Sequence, residues 1–560
     1  MTLLCASIMV DRPRGALEAA RRAADLGCDL VEFRVDGFFS GSSPPGRASE
    51  RSPEPVDDPE TAALLTLVSG SPLPCIVTCR SAAEGGLYDG EEPARAALLL
   101  RLCTAPAPPR YLDVELSAYE RSENLRQKIN LAIAHPGQLR DVSTGLILSV
   151  HDPAGRPPDL SRKLLALRAH EAAAVHKVAL LARSVRDNLE LFEILAEADR
   201  PTIALAMGEA GLLSRVLAPK FGGFLTFASL GSGHETAPGQ PSVAELTRTY
   251  RFRSIGRATR VFGVLGWPVS GSLSPRSHNA AFAAHGVDAV YLPVPVPPEF
   301  EHFKATLLSL VGHARLDFAG CSVTTPHKQN LVRLARAEGW ELDPLAAACG
   351  AANTLVLPAS GTRPAPLVAN TDGPALVEVV RQTGAGSTDR VAILGAGGLA
   401  RASVLALARR GGRVSVLNRT PERALALVRD LAPHAAPGTI EARPLAPESL
   451  RDARVIINCT SAGQAGGPDP DAAPVELSAL RWLGPARPVL IETVYAPRWT
   501  PLMGHAQAAG LRIVDGLRLF LAQAALQSEL FTARPAPLAA MESALLAPRA
   551  SGAGDGPAPG

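Results

Sequence analysis

The sequence predicts an α/β protein in two parts: an N-terminal (β/α)8 barrel, then a second α/β region that includes a dinucleotide-binding unit. Three observations carry this. Eight strand-like runs alternate with helix-length stretches over residues 1–250, the count and the ~250-residue size of a closed parallel barrel. The chain has 560 residues, enough for three to four domains at about 150 residues each. A glycine-rich turn, GAGGLAR at 395–401, follows a strand-like run and opens a helical one, the arrangement that brings backbone amides to a pyrophosphate.

In chain order, the barrel runs are LLCASIM (3–9), LVEFRV (30–35), CIVTC (75–79), YLDVE (111–115), LILSV (146–150), VHKVA (175–179), TIALA (202–206) and FLTFA (224–228). Amphipathic stretches such as ALEAARRAADLG and VRDNLELFEILAEA lie between them. The polar, Pro/Ser-rich segment 40–59 reads as a loop insertion. Residues 251–260 read as a linker. A second α/β region then opens with VFGVLG (261–266), and VAILGAGG (391–398) begins a distinct dinucleotide-type unit. The Pro/Ala/Gly-rich tail 534–560 is expected to be disordered.

Composition narrows the class. A formal net charge of +2 makes no electrostatic case for nucleic acid or an anionic membrane. No apolar run reaches the ~18 residues of a spanning helix. The start lacks a basic region, a long apolar core and a cleavage site, so a cytoplasmic protein is expected. The eight cysteines are scattered with no CxxC pair, which fits free thiols and no metal centre. Only six of the 56 basic residues are lysine: 128, 163, 177, 220, 304 and 328. In an arginine-rich chain, a lysine is a candidate for work that needs a proton to leave.

Barrel chemistry belongs at the C-terminal strand ends. Those ends carry Glu32 and Arg34 on one face of the second strand, Arg80 and then Glu84 after the third, and His151 after the fifth. Lys177 lies within the sixth, Arg215 follows the seventh, and Thr236 and Gln240 follow the eighth. Most have plain structural readings as rim ion pairs or loop residues. Lys177 is harder to dismiss, because a mid-strand ammonium among valines is costly. Burial would favour its neutral form, the form that attacks a ketone to give a Schiff base. His151, oriented by Glu84, could shuttle protons.

The segments VEFRVD, TCRSAAEGG, SVHD, HKVA, MGEAGLLSR, FGGFLTFAS and APGQ together resemble the type I 3-dehydroquinate dehydratase family, a TIM-barrel family, over residues 3 to about 245. The resemblance implies a Schiff base between Lys177 and the C3 ketone of 3-dehydroquinate. It gives His151 the C2 proton, to be returned to the leaving C1 hydroxyl, and makes Glu84 its partner. Arg215 would bind the carboxylate, with Glu32, Arg34, Arg80, Thr236 and Gln240 holding the substrate from the rim. Thr236 stands where many members have serine, and keeps the hydroxyl.

In the second part, the strand RVSVL ends in Asn418-Arg419-Thr420 without an acid, which suits a 2′-phosphate and hence NADP(H). Gly395, Ala396, Gly397 and Gly398 form the turn that would receive the pyrophosphate. Upstream, GWPVSGSLSPRSHN, CSVTTPHK, AANT and NTDG read blandly as turns, or else as a set of donors for a polyhydroxylated ring, with Lys328 and Asp372 as a proton-transfer pair.

This part resembles the shikimate dehydrogenases from about 261 to 532, and the resemblance implies a substrate-binding domain at 261–372, completed by a returning helix at 516–532, and a Rossmann cofactor domain at 373–515. The resemblance places Ser272, Ser274, Thr324, Asn353, Tyr495 and Gln523 on the substrate, beside the catalytic Lys328 and Asp372. Thr460 in NCTSAG and Gly516 join the cofactor set. Ser322 and Glu492 depart from the common Asn and Asp. A dehydratase followed by a dehydrogenase is the order of the fused enzymes of the shikimate pathway, which contributes to aromatic amino acid and chorismate biosynthesis. The product 3-dehydroshikimate would be reduced to shikimate by NADPH, with no metal required. A quinate dehydrogenase or a metabolite-sensing repressor are the alternatives, and oligomeric state is open.

Overall fold

The computed structural model describes residues 1–39, 59–134, 143–358, 365–476 and 487–547. The expected loop at 40–59 lies outside the described residues except for Pro59, which begins helix Pro59–Ser69. Two compact units divide the chain at Thr259/Arg260. Among the described residues, no helix is long and apolar enough to cross a membrane.

The first unit is an eight-stranded parallel barrel: β1 (Leu3–Met9), β2 (Leu30–Arg34), β3 (Cys75–Thr78), β4 (Tyr111–Glu115), β5 (Gly145–Asp152), β6 (Ala173–Leu181), β7 (Thr202–Met207) and β8 (Leu225–Ala228). Hydrogen-bonded ladders run in the order β7-β6-β5-β4-β3-β2-β1-β8. The Phe224 amide donates to the Thr202 carbonyl at 2.8 Å and draws β8 back to β7. Alternation along each strand sorts the side chains. Cys5, Leu30, Ile76, Ile147, Val175, Ile203 and Leu225 form an apolar floor inside the barrel. Two residues further along five of these strands are Ser7, Glu32, Thr78, Ser149 and Lys177. The polar layer therefore rests on the apolar one.

Residues 251–259, expected as linker, pack into this first unit. Phe252 and Ile255 are buried, and Arg253 donates to Asp29 (2.7 Å) and to the Gly27 carbonyl (2.8 Å). Lys220 is buried too, and its ammonium donates to the carbonyls of Arg257 and Thr259 at 2.7 and 3.0 Å. Apolar anchors and a capped lysine make this stretch part of the domain rather than a tether.

Among the described residues, the second unit holds two six-stranded sheets. In the first are β9 (Arg260–Gly266), β10 (Ala289–Pro295), β11 (Phe318–Val323), β12 (Glu341–Leu342), β13 (Thr354–Val356) and β14 (Leu367–Ala369), ordered β10-β9-β11-β13-β14-β12, with β13 antiparallel to both neighbours. In the second are β15 (Arg390–Leu394), β16 (Arg413–Leu417), β17 (Ile440–Arg443), β18 (Val455–Asn458), β19 (Val489–Glu492) and β20 (Arg512–Val514), all parallel, ordered β17-β16-β15-β18-β19-β20. The strand order reverses between β15 and β18, and ligands of open α/β sheets bind outside the strand ends at such a point.

Helix Gly516–Thr532 returns from the second sheet to the first: Leu519 packs in the core of the dinucleotide sheet, and Phe531 against Phe262 and Tyr291. The tail expected to be disordered from 534 instead forms helix Leu538–Leu546. Met541 and Leu545, one turn apart, bury against Leu273, Ala281, Phe520 and Ala524, and that apolar pair holds the helix despite its Pro/Ala surroundings. Residues 548–560 lie outside the described residues.

Candidate active sites

Strand pairing sets Lys177 beside Ser149 on β5, and His151 two residues further on toward the rim. Nine residues singled out in the first part of the sequence, Glu32, Arg34, Arg80, Glu84, His151, Lys177, Arg215, Thr236 and Gln240, line one cavity of about 240 Å³. Ser7, Met207 and Phe227 are also part of its wall.

Lys177 is buried, but not as the lone amine that the sequence suggests. Its ammonium donates to Asp113 at 2.7 Å, lies 3.5 Å from Glu32, and stands 4.6 Å from the centre of the Phe227 ring. Arg80 reaches the other oxygen of Asp113 at 2.8 Å and also lies 3.2 Å from Glu115. Ser149 donates to Asp113 at 2.6 Å. Burial alone would push the Asp113 carboxyl up, but Arg80 and Lys177 hold it well below the usual carboxylate range. Asp113 thus stays ionised and fixes the lysine.

His151 faces Glu84 twice: its backbone amide donates to Glu84 at 3.0 Å, and Nδ1 lies 3.3 Å from the same oxygen. Ser117 donates to the other Glu84 oxygen at 2.8 Å. Burial, reinforced by the cations Arg80 and Lys177, pushes His151 well below the usual histidine value of 6.5. Burial also pushes the Glu84 carboxyl up, against Arg80. The imidazole is accordingly neutral at pH 7 and able to take a proton.

Arg215 is 1% exposed, its Nε donates to the Ala206 carbonyl at 3.2 Å, and its Nη2 has no partner among the described residues. Burial lowers its guanidinium to about 10. An unmatched buried cation of this kind fits an anionic ligand. The structural reading of Arg34 has substance, since it forms a two-pronged pair with Asp36 at 2.9 and 2.8 Å. Thr236 donates to Ser7 at 2.7 Å, and its amide to Gln240 at 2.9 Å.

Asp113, Glu115, Ser7 and Ser149 were not anticipated. The signal was faint but present: Asp113 and Glu115 alternate in YLDVE with the parity that faces the barrel interior.

In the second unit, Lys328 begins helix Lys328–Glu338 and donates to Asp372 at 2.6 Å. Asp372 begins helix Asp372–Gln382, and its other oxygen accepts from Asn353 at 3.0 Å. The Asn353 amide also reaches Thr371 (3.0 Å) and Gln523 (3.4 Å). Four predicted residues therefore meet: Lys328, Asn353, Asp372 and Gln523. Ser272 accepts from the Ser274 amide at 3.2 Å, and the Thr324 amide donates to the Leu265 carbonyl at 2.9 Å. Tyr495 packs on Phe520 with ring centres 5.0 Å apart. The departure Ser322 accepts from Tyr291 at 2.6 Å and donates to Gln527 at 2.8 Å, and Gln527 in turn donates to the Asn353 carbonyl at 3.0 Å. Gln527 was missed, although it lies one helical turn from Gln523.

The dinucleotide turn sits at the strand reversal. Gly395 has φ +111°, and a Cβ there would come 3.0 Å from the Cys459 carbonyl oxygen. Gly397 opens into empty space, and Gly398 starts helix Gly398–Ala408 with its Cα so near Lys328 that a Cβ would lie 2.9 Å from the lysine Cβ. Ala396 lies between these glycines. A dinucleotide's phosphates fit such an open, side-chain-free helix start. Asn418 donates to the Thr420 carbonyl at 2.9 Å, while Arg419 is 86% exposed, with Asp469 at 3.5 Å. Thr460 donates to Asn458 at 2.7 Å. A Cβ on Gly516 would fall 2.1 Å from the Val494 carbonyl oxygen, so that glycine serves close backbone approach. The departure Glu492 is fully buried and accepts from Asn458, Thr500 and the amides of Thr493 and Val494.

Comparison with known proteins agrees with this division. The family profile described as Type I 3-dehydroquinase matches residues 4–257. Those of the shikimate dehydrogenase substrate binding domain, shikimate/quinate 5-dehydrogenase and the shikimate 5′-dehydrogenase C-terminal domain match 264–355, 378–465 and 516–546. A shikimate dehydrogenase (NADP(+)) of Paramagnetospirillum magneticum is 39% identical over 47% of this chain and 90% of its own. A solved structure of the Thermus thermophilus shikimate 5-dehydrogenase in complex with NADP(H) and shikimate is 33% identical, covering 51% of this chain and 98% of that one, at a TM-score of 0.43. The chloroplastic bifunctional 3-dehydroquinate dehydratase/shikimate dehydrogenase of Arabidopsis thaliana is 33% identical over 96% of this chain and 83% of its own length. Identity at that level along both units shows that this chain belongs to the bifunctional 3-dehydroquinate dehydratase/shikimate dehydrogenase family.

Proposed function

We propose that the chain dehydrates 3-dehydroquinate to 3-dehydroshikimate in the barrel and reduces that product to shikimate in the second unit. The observation that carries the reading is the convergence of nine candidate residues on one cavity around Lys177. In the barrel, Lys177 attacks the C3 ketone and water leaves to form the Schiff base, which makes the C2 proton acidic. Neutral His151 takes that proton and delivers it to the departing C1 hydroxyl, which leaves as water. Glu84 keeps the imidazole turned toward the substrate. Arg215 supplies the buried positive charge for the carboxylate, and Glu32, Arg34, Arg80, Thr236 and Gln240 hold the hydroxyl-bearing ring. Hydrolysis frees the enone and the lysine.

In the second unit, Ser272, Ser274, Thr324, Asn353, Tyr495 and Gln523 bind the ring, and Lys328 with Asp372 delivers a proton to the C3 oxygen. The Gly395–Gly398 turn, Asn418, Arg419, Thr420, Thr460 and Gly516 would hold NADPH, which supplies the hydride. Exposed Arg419 at the end of β16, with no acid in Asn418-Arg419-Thr420, favours the 2′-phosphate of NADP. Small molecules account for both sites, and no role for nucleic acid or membrane follows. The free thiols, all buried but Cys459, suit a reducing cytoplasm.

The test is a spectroscopic assay with 3-dehydroquinate. Enone absorbance should rise without NADPH, and NADPH added afterwards should be oxidised. A preparation that forms no enone overturns the barrel assignment. Enone formation with NADPH untouched overturns the second.

A further inference from the structure

We infer that Arg401 is a positioning residue that couples dinucleotide binding to substrate binding in the second unit; this rests on the reading of that unit as an NADP-dependent dehydrogenase. Arg401 lies in the first turn of helix Gly398–Ala408, whose start is the candidate phosphate site. It does not point along the dinucleotide turn. Its Nε donates to the carbonyl of Cys349 at 2.7 Å, and its Nη1 lies 3.1 Å from Asp430 on helix Pro421–Leu431. One guanidinium therefore spans from the cofactor sheet's helices to an element of the substrate side.

The contact falls where it can be transmitted. Cys349 ends helix Pro344–Cys349, which stops at the left-handed Gly350 (φ +67°), and the last carbonyls of a helix lack partners within it. Arg401 satisfies one of them, in the place where a cation also suits the helix dipole. The chain then runs Ala351, Ala352, Asn353. The Ala351 carbonyl accepts from Asn370 at 2.8 Å, the Ala352 amide donates to the Lys328 carbonyl at 2.9 Å, and Asn353 holds Asp372. A shift of the Cys349 carbonyl thus moves a short, buried, hydrogen-bonded segment that ends on both members of the proton-transfer pair. On the opposite side, Gly398 is already in close approach to Lys328. Phosphates seated at the start of this helix would fix its position, and Arg401 would carry that constraint to Asn353.

The prediction is a loss of thermodynamic coupling, which is reciprocal between two ligands. NADPH and shikimate form a pair that cannot react together, so the affinity for NADPH can be read by its fluorescence on the full chain, with and without saturating shikimate. The natural protein should bind NADPH about fivefold or more tightly with shikimate present. In Arg401→Met that factor should fall toward one, while the affinity for NADPH alone changes by less than about threefold, a smaller change than the coupling itself. Arg401→Lys keeps a donor for the Cys349 carbonyl and should retain part of the factor. Arg401→Gln, which removes the charge, replaces the Met variant if that one fails to give a cooperative melt, and in it too the factor should fall toward one. Unchanged coupling in Arg401→Met overturns the inference. So does a loss confined to NADPH alone, which would mark a plain phosphate contact, or an absence of coupling in the natural protein. If the natural protein binds neither ligand, it is the dehydrogenase reading that fails.

Discussion

Lys177 and Lys328 are set in the same way, each donating to one carboxylate, at 2.7 Å to Asp113 and at 2.6 Å to Asp372. Their surroundings differ. Asp113 is also gripped by Arg80 and Ser149 in the barrel interior, so Asp113→Asn should leave Arg80 and Lys177 short of an anion in a buried site. The dehydratase should lose about a hundredfold or more in rate, in line with misplacement of a reacting group by an ångström. Steady-state rates with 3-dehydroquinate would check this, and a loss below tenfold would contradict it. Lys177→Met should abolish a borohydride-trapped adduct with 3-dehydroquinate, read by intact mass. His151 makes a pH prediction. Its folded-state value is lowered well below 6.5 by burial and by the cations Arg80 and Lys177, and the neutral, proton-accepting form exists above that value. Dehydratase kcat/KM should therefore stay level as pH falls through 6.5 and decline only in more acidic solution. His151→Asn should lower the rate by about 10²–10⁴. An acid limb centred at or above the ordinary histidine value would contradict the burial argument.

At the scale of elements, two contacts are open to test. Met541 is fully buried on the last described helix, against Leu273 and Phe520. Met541→Ala should cost about 2–5 kcal/mol, the range for truncating a buried methionine, and thermal or denaturant unfolding of the second unit would show it. Gly398→Ala would set a methyl 2.9 Å from the Lys328 Cβ; the KM for NADPH should rise and the reductase rate fall, with the dehydratase unchanged. These two elements also mark where the sequence was legible. The barrel strands were readable because a parallel strand buried on both faces is a short apolar run, and the dinucleotide turn because glycine, strand and helix coincide. Helix Leu538–Leu546 was hidden: its flanking Pro and Ala resemble a disordered tail, and only the spacing of Met541 and Leu545 tells against that. Residues 251–259 looked like a tether because the burial of Phe252 depends on a partner surface far away in sequence. At the sites, the sequence could name candidates only on strand ends or in distinctive motifs. Asp113, inside an ordinary strand, needed the barrel to bring it to Lys177, and Arg401 needed the folded substrate side to give it a partner.

For the whole molecule, the division at Thr259/Arg260 assigns every candidate side chain of the first reaction to one unit and every one of the second to the other. Each unit has its own apolar core. No residue named for the dehydration lies beyond 259, and none named for the reduction lies before 260. On this reading we expect chemistry at one site not to need a named side chain of the other unit, so that the fusion fixes the ratio of the two sites. Lys177→Met should then leave NADPH-dependent reduction of added 3-dehydroshikimate within about twofold of the natural rate, as expected for distant, independent sites. Lys328→Met should likewise leave enone formation intact. The sharper test mixes the two variants. Neither alone should oxidise NADPH at an appreciable rate when given 3-dehydroquinate, yet the mixture should do so after a lag while free 3-dehydroshikimate accumulates to the reductase KM. The lag should shorten as the Lys328→Met variant is increased, because that variant supplies the intermediate. A mixture that stays silent while each variant keeps its single activity would mean that the intermediate must pass within one chain, and independence of the two units would have to be abandoned.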